Sequence, residues 1–208
     1  MVAGSQKGLM TPPGLCFVWF NKKAQDARER LDRVSYYWDW KPRISGEYFY
    51  QKFAGTAPTN HIYGLREALD MMKEEGLENI WARHRILARA VWAALEEWGA
   101  EGALWMNIKE EQYRSHAVTA VTAPNRLGRD LQDWCRDQAG VTLGIGLGMA
   151  GRLSPEVGDF FRIGHMGHVN AHMLMGTLGA IDAGLKAAKA PHGKDALAKA
   201  AEVLAKAS

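Results

Sequence analysis

The 208-residue chain combines 47% hydrophobic with 24% charged residues, which is typical of a soluble globular protein and argues against disorder. Its 26 basic and 23 acidic residues are spread along the whole length and leave a formal charge of only +3, so the concentrated basic surface that nucleic acids require is missing. The longest apolar run near the start, residues 14–20, is too short to cross a bilayer. We therefore expect neither nucleic acid nor a membrane as a partner.

The first 75 residues predict a strand, a helix and a long aromatic segment. Residues 15–20 are typical of a buried strand, and residues 21–33 of a polar surface helix that Asn21 would cap. Residues 35–59 are rich in aromatic side chains, with Gly and Pro but no sustained period, which predicts an ordered loop. Residues 1–4 resemble the end of a strand, and we expect its partner strands to be absent from this chain.

From about residue 22 onward the pattern predicts helices that pack on one face of a small, mainly antiparallel sheet. A helix of residues 59–75 would end at Gly76, which is a natural helix stop. Four further helices are predicted at residues 77–98, 126–140, 168–190 and after Pro191, and four short strands within residues 103–108, 115–123, 141–147 and 160–164. This arrangement indicates an α/β fold with an α+β second part.

Three motifs invite a functional interpretation that their context does not support. Residues 146–151, GLGMAG, fit a dinucleotide-binding fingerprint, but no strand-turn-helix unit surrounds them. The histidines of HMGHVNAH, residues 165–172, could share one helix face, but no carboxylate or cysteine completes a zinc set, so we predict no metal site. His84 lies on an apolar helix stripe and is interpreted as a hydrogen-bonded core residue, and Trp81, Trp92, Trp98 and Trp134 as packing residues.

Lys7 is harder to explain as ordinary surface. It follows a strand-like segment and lies between Gln6 and Gly8, where small residues would let another group approach its amine closely. Shielding lowers the pKa of a lysine amine and frees the neutral form for reaction with an aldehyde. We therefore expect the amine of Lys7 to be both shielded and reachable.

The segment GSQKGLMTPPGL, residues 4–15, closely resembles the lysine-bearing segment of fold-type I, class V aminotransferases, specifically the serine/alanine-glyoxylate and pyridoxamine-pyruvate branch. The resemblance continues through residues 55–84 and 156–185 and covers residues 3 to about 187. It implies a large-domain remnant with an interface loop at residues 1–75, a small domain at residues 76–190 and a terminal helical tail at residues 191–208.

The resemblance also implies roles for individual residues and a set of partners. Lys7 would hold pyridoxal phosphate covalently and move a proton between the substrate Cα and the cofactor C4′. Gln6 and Thr56 would contact the phosphate, Thr56 in the neighbouring subunit of a homodimer. Arg162 would grip the carboxylate of a small amino acid or 2-oxo acid, because a guanidinium binds carboxylates in a bidentate way. From the residues alone, pairing of Arg162 with a structural carboxylate is an equal alternative.

The resemblance is to the C-terminal half of such an enzyme, because several of the family's cofactor contacts precede the lysine. We therefore expect an aminotransferase lineage whose 208 residues alone turn over little, with a non-catalytic fragment or a subunit of a split enzyme as the alternative. Another pyridoxal-phosphate reaction, such as a desulfurase reaction, would need a mobile reactive cysteine. Cys16 and Cys135 lie in a predicted strand and helix, without disulfide or zinc spacing, and favour a reducing, cytoplasmic location.

Overall fold

A computed structural model describes residues 1–206 and divides the chain into two compact units, Met1–Glu75 and a second unit that starts at Gly76. Gly76 has a φ of +83°, which favours glycine. It follows the last residue of the helix that ends the first unit and precedes the first residue of the next helix.

The first unit contains a two-stranded antiparallel ribbon and three helices. Strand β1 (Val2–Gly4) pairs with β2 (Cys16–Val18), with Val2 opposite Val18. The prediction that the partner of the first strand is absent from the chain was wrong, because residues 5–15 form a turn that returns the chain alongside β1. The helices are α1 (Lys22–Glu29), α2 (Lys41–Ile44) and α3 (Thr59–Glu75), with a 3₁₀ turn at Phe49–Phe53.

Helix α1 is shorter than the sequence predicts, although the predicted cap is present. The Asn21 side chain accepts a hydrogen bond from the amide of Ala24, which satisfies one of the free donors at the helix start. The helix ends at Glu29 and contains no buried residue, so packing does not extend it.

The second unit is built on a four-stranded antiparallel sheet with the order β3-β4-β6-β5, which confirms the predicted fold class. Its strands are β3 (Trp105–Met106), β4 (Val118–Thr122), β5 (Gly144–Ile145) and β6 (Phe160–Gly164). Its helices are α4 (Leu77–Trp98), α5 (Leu127–Ala139), α6 (Ala171–Ala187) and α7 (Ala196–Ala205).

The core of the second unit lies where α4 and α5 meet one face of the sheet, with α6 packed on these two helices. Val91, Leu95 and Trp98 of α4 are at most 1% exposed, as are Val121 of β4 and Phe161 of β6. This burial follows the three- and four-residue spacing in α4 and the alternation in the strands.

The two ends of α4 behave differently. Trp81 is 59% exposed, so its assignment as a packing residue was wrong, because it lies in the first turns of α4, outside the buried stretch Leu87–Trp98. At the other end α7 packs against α4, with Ala196 and Ala200 fully buried. No helix among residues 1–206 is long and apolar enough to span a bilayer.

Candidate functional site

The turn that carries Lys7 is held at its base by Ser5, which is fully buried. The Ser5 amide donates to the carbonyl of Leu15 (3.1 Å), and its hydroxyl donates to the carbonyl of Pro12 (3.2 Å). Thr11 donates to the Ser5 carbonyl from both its amide (3.2 Å) and its hydroxyl (2.9 Å). These bonds connect both arms of the turn and fix the backbone on either side of its tip.

Lys7 lies at the tip of this turn with its side chain exposed. Its carbonyl accepts a hydrogen bond from the amide of Met10 (2.9 Å), which closes the tip. Among residues 1–206 the amine has no hydrogen-bond or ion-pair partner, and a Cβ on Gly8 would meet no atom within 4 Å. The amine is therefore reachable. The expected shielding is not supplied by this unit and stays a prediction that depends on other groups.

Gln6 and Thr56, the predicted phosphate contacts, are both exposed, and no hydrogen bond joins them in the described part of the chain. Gln6 curls back over Gly4, where a Cβ would lie 2.7 Å from Gln6 Oε1. Thr56 lies in the short link between the 3₁₀ turn at Phe49–Phe53 and α3. This unit thus leaves Gln6 and Thr56 apart, and their common role stays a prediction.

The aromatic segment after α1 is anchored by a buried carboxylate. Arg28 Nε and Nη2 donate to the two oxygens of Asp39 at 2.7 and 2.5 Å, and the amide of Lys41 donates to one of them at 3.1 Å. The Arg28 hydrogen bonds, together with the amide of Lys41, lower the pKa of Asp39 to about 2. The exposed aromatic rings of this segment, such as Trp38 at 75%, are therefore carried on a fixed backbone.

Arg162 lies in the middle of β6, on the face of the sheet opposite the core. Its neighbours Phe161 and Ile163 are buried against the helices, and the alternation of a strand therefore puts Arg162 on the other face. Across the sheet it pairs with Ala120 on β4 and Gly144 on β5. Both neighbours are small, so the Arg162 side chain has room beside them.

The guanidinium of Arg162 makes one internal hydrogen bond, from Nε to the carbonyl of Ile145 at 2.6 Å. No carboxylate of residues 1–206 lies within the 4.0 Å of an ion pair with Arg162. The alternative that Arg162 pairs with a structural carboxylate is thus not realised among these residues. The terminal nitrogens Nη1 and Nη2 keep their donors for an external anion.

The three histidines of residues 165–172 separate in the structure. His165 is fully buried, whereas His168 and His172 are exposed. Burial lowers the pKa of His165 to about 4, so the ring is neutral near pH 7. No group of three His, Cys, Asp or Glu among residues 1–206 could hold a metal ion.

His84 is the hydrogen-bonded structural residue that the sequence predicts. Its Nδ1 donates to the carbonyl of Ile80 (2.7 Å), which leaves Nε2 to accept from the amide of Gly167 (3.0 Å). Arg83 adds bonds to the carbonyls of Gly167 (2.9 Å) and Val169 (2.8 Å). Helix α4 thereby holds the loop that leaves the strand of Arg162.

Neither thiol has the setting of a reactive cysteine. Cys135 lies fully buried in α5, and desolvation raises the pKa of its thiol to about 11. Cys16 is exposed on β2, and both cysteines are free. Residues 146–151 follow β5 and lead into a 3₁₀ turn at Pro155–Asp159, so they lack the strand-to-helix context of a dinucleotide site.

Two features escaped the sequence analysis, one beside Arg162 and one in the helical core. Gly144 lies directly opposite Arg162, and the alternation of glycines around Ile145 in a strand-like segment was the available signal. Asp182, an acid inside an apolar helix, accepts from the indole of Trp98 (3.0 Å) and the amine of Lys186 (2.6 Å). A buried acid in a helix pattern could have been predicted to need such partners.

The sequence is similar to that of known aminotransferases. A family profile described as aminotransferase class-V matches residues 1–164. The chain is 34% identical over 186 residues to a serine–glyoxylate aminotransferase of Arabidopsis thaliana, covering 89% of this chain and 44% of that protein. It is 38% identical over 193 residues to a serine–glyoxylate aminotransferase of Methylorubrum extorquens, covering 88% and 44%.

The fold is similar to that of two solved aminotransferases. Pyridoxamine-pyruvate aminotransferase from Mesorhizobium loti superposes with a TM-score of 0.82 and 26% identity over 100% of this chain and 52% of that chain. Ureidoglycine-glyoxylate aminotransferase from Bacillus subtilis superposes with a TM-score of 0.81 and 26% identity, over 99% of this chain and 51% of that chain. The chain thus spans about half the length of the relatives it matches, and its assignment to their C-terminal half stays a prediction. By this profile, which covers most of its residues, the chain belongs to the class V aminotransferase family.

Proposed function

We propose that this chain provides half of the machinery of a pyridoxal-phosphate-dependent transaminase. The reaction would transfer an amino group from serine or alanine to glyoxylate or pyruvate. Family membership supports this proposal, because relatives named serine–glyoxylate and alanine–glyoxylate aminotransferases match more than four fifths of the chain. The observation that carries it is that the amine of Lys7 and the terminal nitrogens of Arg162 have no partner within their own units in the described part of the chain.

The residues present fit the covalent end of pyridoxal phosphate. Attachment of the cofactor needs an accessible primary amine on a backbone that is fixed in place, and Lys7 meets both needs. The buried Ser5 and Thr11 fix the turn, and Gly8 leaves space beside the amine. Gln6, next in the chain, adds an amide donor for an anionic oxygen.

Each residue then has a chemical task. Pyridoxal phosphate, when bound, supplies the electron sink that stabilises negative charge at the substrate Cα. The neutral amine of Lys7 takes the proton from that Cα. Arg162 fixes the substrate carboxylate through Nη1 and Nη2 and so orients the Cα hydrogen. Gln6 and Thr56 donate hydrogen bonds to the phosphate, Thr56 across a homodimer interface.

One observation favours the alternative of a chain that is not catalytic by itself. The amine of Lys7 is exposed in this unit, whereas the base that moves the Cα proton has to be neutral, a form that shielding from water favours. We infer that turnover requires further protein groups that shield the amine, from a partner segment or subunit. We also propose a cytoplasmic location, because both cysteines are free and free thiols are typical of reducing compartments.

Borohydride trapping tests the proposal. The chain is incubated with pyridoxal phosphate, reduced with borohydride and mapped by mass spectrometry, with Lys7→Ala beside it and Lys52→Ala as the matched exposed-lysine control. We expect Lys7 to carry several-fold more of the reduced pyridoxal phosphate adduct than Lys52. Most of the adduct should therefore be lost in Lys7→Ala and kept in Lys52→Ala. Label spread evenly over the surface lysines would refute the assignment of Lys7.

A further inference from the structure

The strand opposite Arg162 is short and contains a glycine. Strand β5 has only two residues, Gly144 and Ile145, and it pairs Gly144 with Arg162 and Ile145 with Phe161. A Cβ on Gly144 would lie 3.2 Å from the Arg162 Cβ and 3.7 Å from Nε. The distance to Nε is an ordinary van der Waals contact, but the distance to Cβ is tighter than usual, so a larger residue at position 144 would press on the stem of the arginine.

The backbone of β5 also determines which donors of Arg162 remain. The carbonyl of Ile145 accepts from Nε at 2.6 Å, and this bond turns the planar guanidinium to a single orientation. A carboxylate can then bind end-on to Nη1 and Nη2, because the side edge that includes Nε is occupied. The other flank is Ala120, whose small side chain does not crowd the stem.

So short a strand needs support to keep its register, and two contacts provide it. The side-chain amide nitrogen of Gln132 on α5, Nε2, donates to the carbonyls of Gly144 and Phe160, each at 3.2 Å, and thereby bridges β5 and β6. At Gly146 a Cβ would lie 2.3 Å from the Cβ of Phe160, so this backbone approaches β6 more closely than any side chain allows.

We propose that Gly144, the Ile145 carbonyl and Gln132 are positioning groups for Arg162 and hold its guanidinium in the orientation that captures a carboxylate end-on. The inference rests on the proposed carboxylate role of Arg162. It adds that the space at Gly144 and the bridge from Gln132 determine how tightly the carboxylate is held. Neither group touches the substrate.

A glycine on the same face of the sheet offers a matched control. Gly164 lies two residues after Arg162 on β6, and a Cβ there would meet no atom within 4 Å. Gly144→Val and Gly164→Val therefore make the same chemical change, with and without contact to the arginine. Gln132→Leu loosens the bridge without filling the space beside Arg162.

Two measurements on the full chain test the inference. The first is the solvent exchange rate of the Arg162 Hε by NMR, with the signal assigned through Arg162→Lys. The second is titration with pyruvate, followed by the same signal. We expect exchange about tenfold faster and pyruvate binding about tenfold weaker in Gly144→Val, the factor for one lost hydrogen bond. A smaller change in the same direction is expected in Gln132→Leu, and values within twofold of wild type in Gly164→Val.

The outcomes separate the two proposals. No saturable shift with pyruvate in the wild-type chain overturns the carboxylate role of Arg162, and this inference with it. Saturable wild-type binding with equal exchange rates and affinities in Gly144→Val and Gly164→Val overturns the positioning inference alone. Backbone amide spectra of each variant check the fold, and if Gly144→Val does not fold, Gln132→Leu decides by the same two measurements.

Discussion

A chain of buried hydrogen bonds connects helix α4 to the sheet and gives the most quantitative prediction. The indole nitrogen of Trp92 donates to Thr119 Oγ1 at 3.1 Å, and His165 Nδ1 donates to the carbonyl of His116 at 3.0 Å. With its Nδ1 proton so engaged, His165 accepts the Thr119 hydroxyl at Nε2, 2.9 Å away. Thr119 is 6% exposed, so one hydroxyl satisfies two buried partners.

Replacement of Thr119 by valine removes that hydroxyl and keeps the shape of the side chain. The indole of Trp92 and Nε2 of His165 would then each lack a partner in the core. A buried unsatisfied group costs about 1–3 kcal/mol, so with two such groups we expect the free energy of unfolding to fall by about 2–6 kcal/mol. Urea unfolding at neutral pH, followed by the near-ultraviolet circular dichroism of the buried tryptophans, measures the loss.

Two further variants make this prediction decisive. Thr119→Ser keeps the hydroxyl and should lose only about 1 kcal/mol for the missing methyl. Thr122→Val on the same strand removes a hydroxyl that bonds Asn107 at 3.3 Å near solvent, and should change stability by no more than about 0.5 kcal/mol. A Thr119→Val variant as stable as Thr122→Val would refute the reasoning.

The same network predicts a pH dependence. The pKa of His165 is lowered to about 4 by burial, compared with about 6.5 in the unfolded chain. Above pH 6.5 the ring is neutral in both the folded and the unfolded chain. Between pH 6.5 and 4 only the unfolded chain gains the proton, so the free energy of unfolding decreases by about 3 kcal/mol in total as the pH is lowered. The ring ¹⁵N shifts of His165 should therefore stay those of a neutral Nδ1–H imidazole from pH 7 to 5. A protonated ring at pH 6 would contradict this.

Three further predictions concern contacts elsewhere in the chain. Gly193→Ala should destabilise the second unit by about 2–3 kcal/mol in urea unfolding, because the new Cβ would lie 2.2 Å from the carbonyl oxygen of Glu97. The control Gly179→Ala, where a Cβ would meet no atom within 4 Å, should instead stabilise α6 by up to about 1 kcal/mol. Equal effects of the two substitutions on stability would refute the predicted clash at Gly193. Asp182→Leu should cost more than Asp182→Asn in the same assay, since only leucine leaves the buried indole donor unpaired, and the reverse order would contradict this. Asp39→Asn should speed amide hydrogen exchange across residues 35–44, because the carboxylate whose pKa is lowered to about 2 ties that segment to α1; unchanged exchange would show that the pair does not hold it.

The positions of the longer helices and the presence of the main strands could be predicted from the local pattern of apolar side chains. The three- and four-residue spacing of apolar side chains predicted α3 and α4 with their bounds. Alternation predicted the strand that contains β4, and the segment FFRIG, residues 160–164, was predicted as the short strand that is β6. These patterns work because one face of each element must be buried, whatever the rest of the fold does. Helix α1 was overestimated because none of its residues is buried, and a polar sequence alone does not extend a helix.

The candidate site was only partly accessible to the same reasoning. Lys7 and Arg162 were found by residue type, setting and family resemblance, and the structure adds that Arg162 has no internal carboxylate partner among residues 1–206. The shielding expected for Lys7 was not found in its unit, because whether a turn is covered depends on groups distant in the chain. The pairing of β1 with β2 was missed although both segments were predicted as strands, because it depends on the return of the chain through residues 5–15.

Local patterns along the chain were enough to predict the family resemblance, helices α3 and α4, a mainly antiparallel sheet and the two residues, Lys7 and Arg162, on which the proposed chemistry depends. The folded chain was needed to see that Gly144 lies opposite Arg162, that the Ile145 carbonyl occupies Nε, and that Thr119 joins Trp92 to His165. The physical reason is the range of the interactions. Periodicity and capping act within a few residues, whereas these contacts join residues 17 to 46 positions apart and depend on strand register.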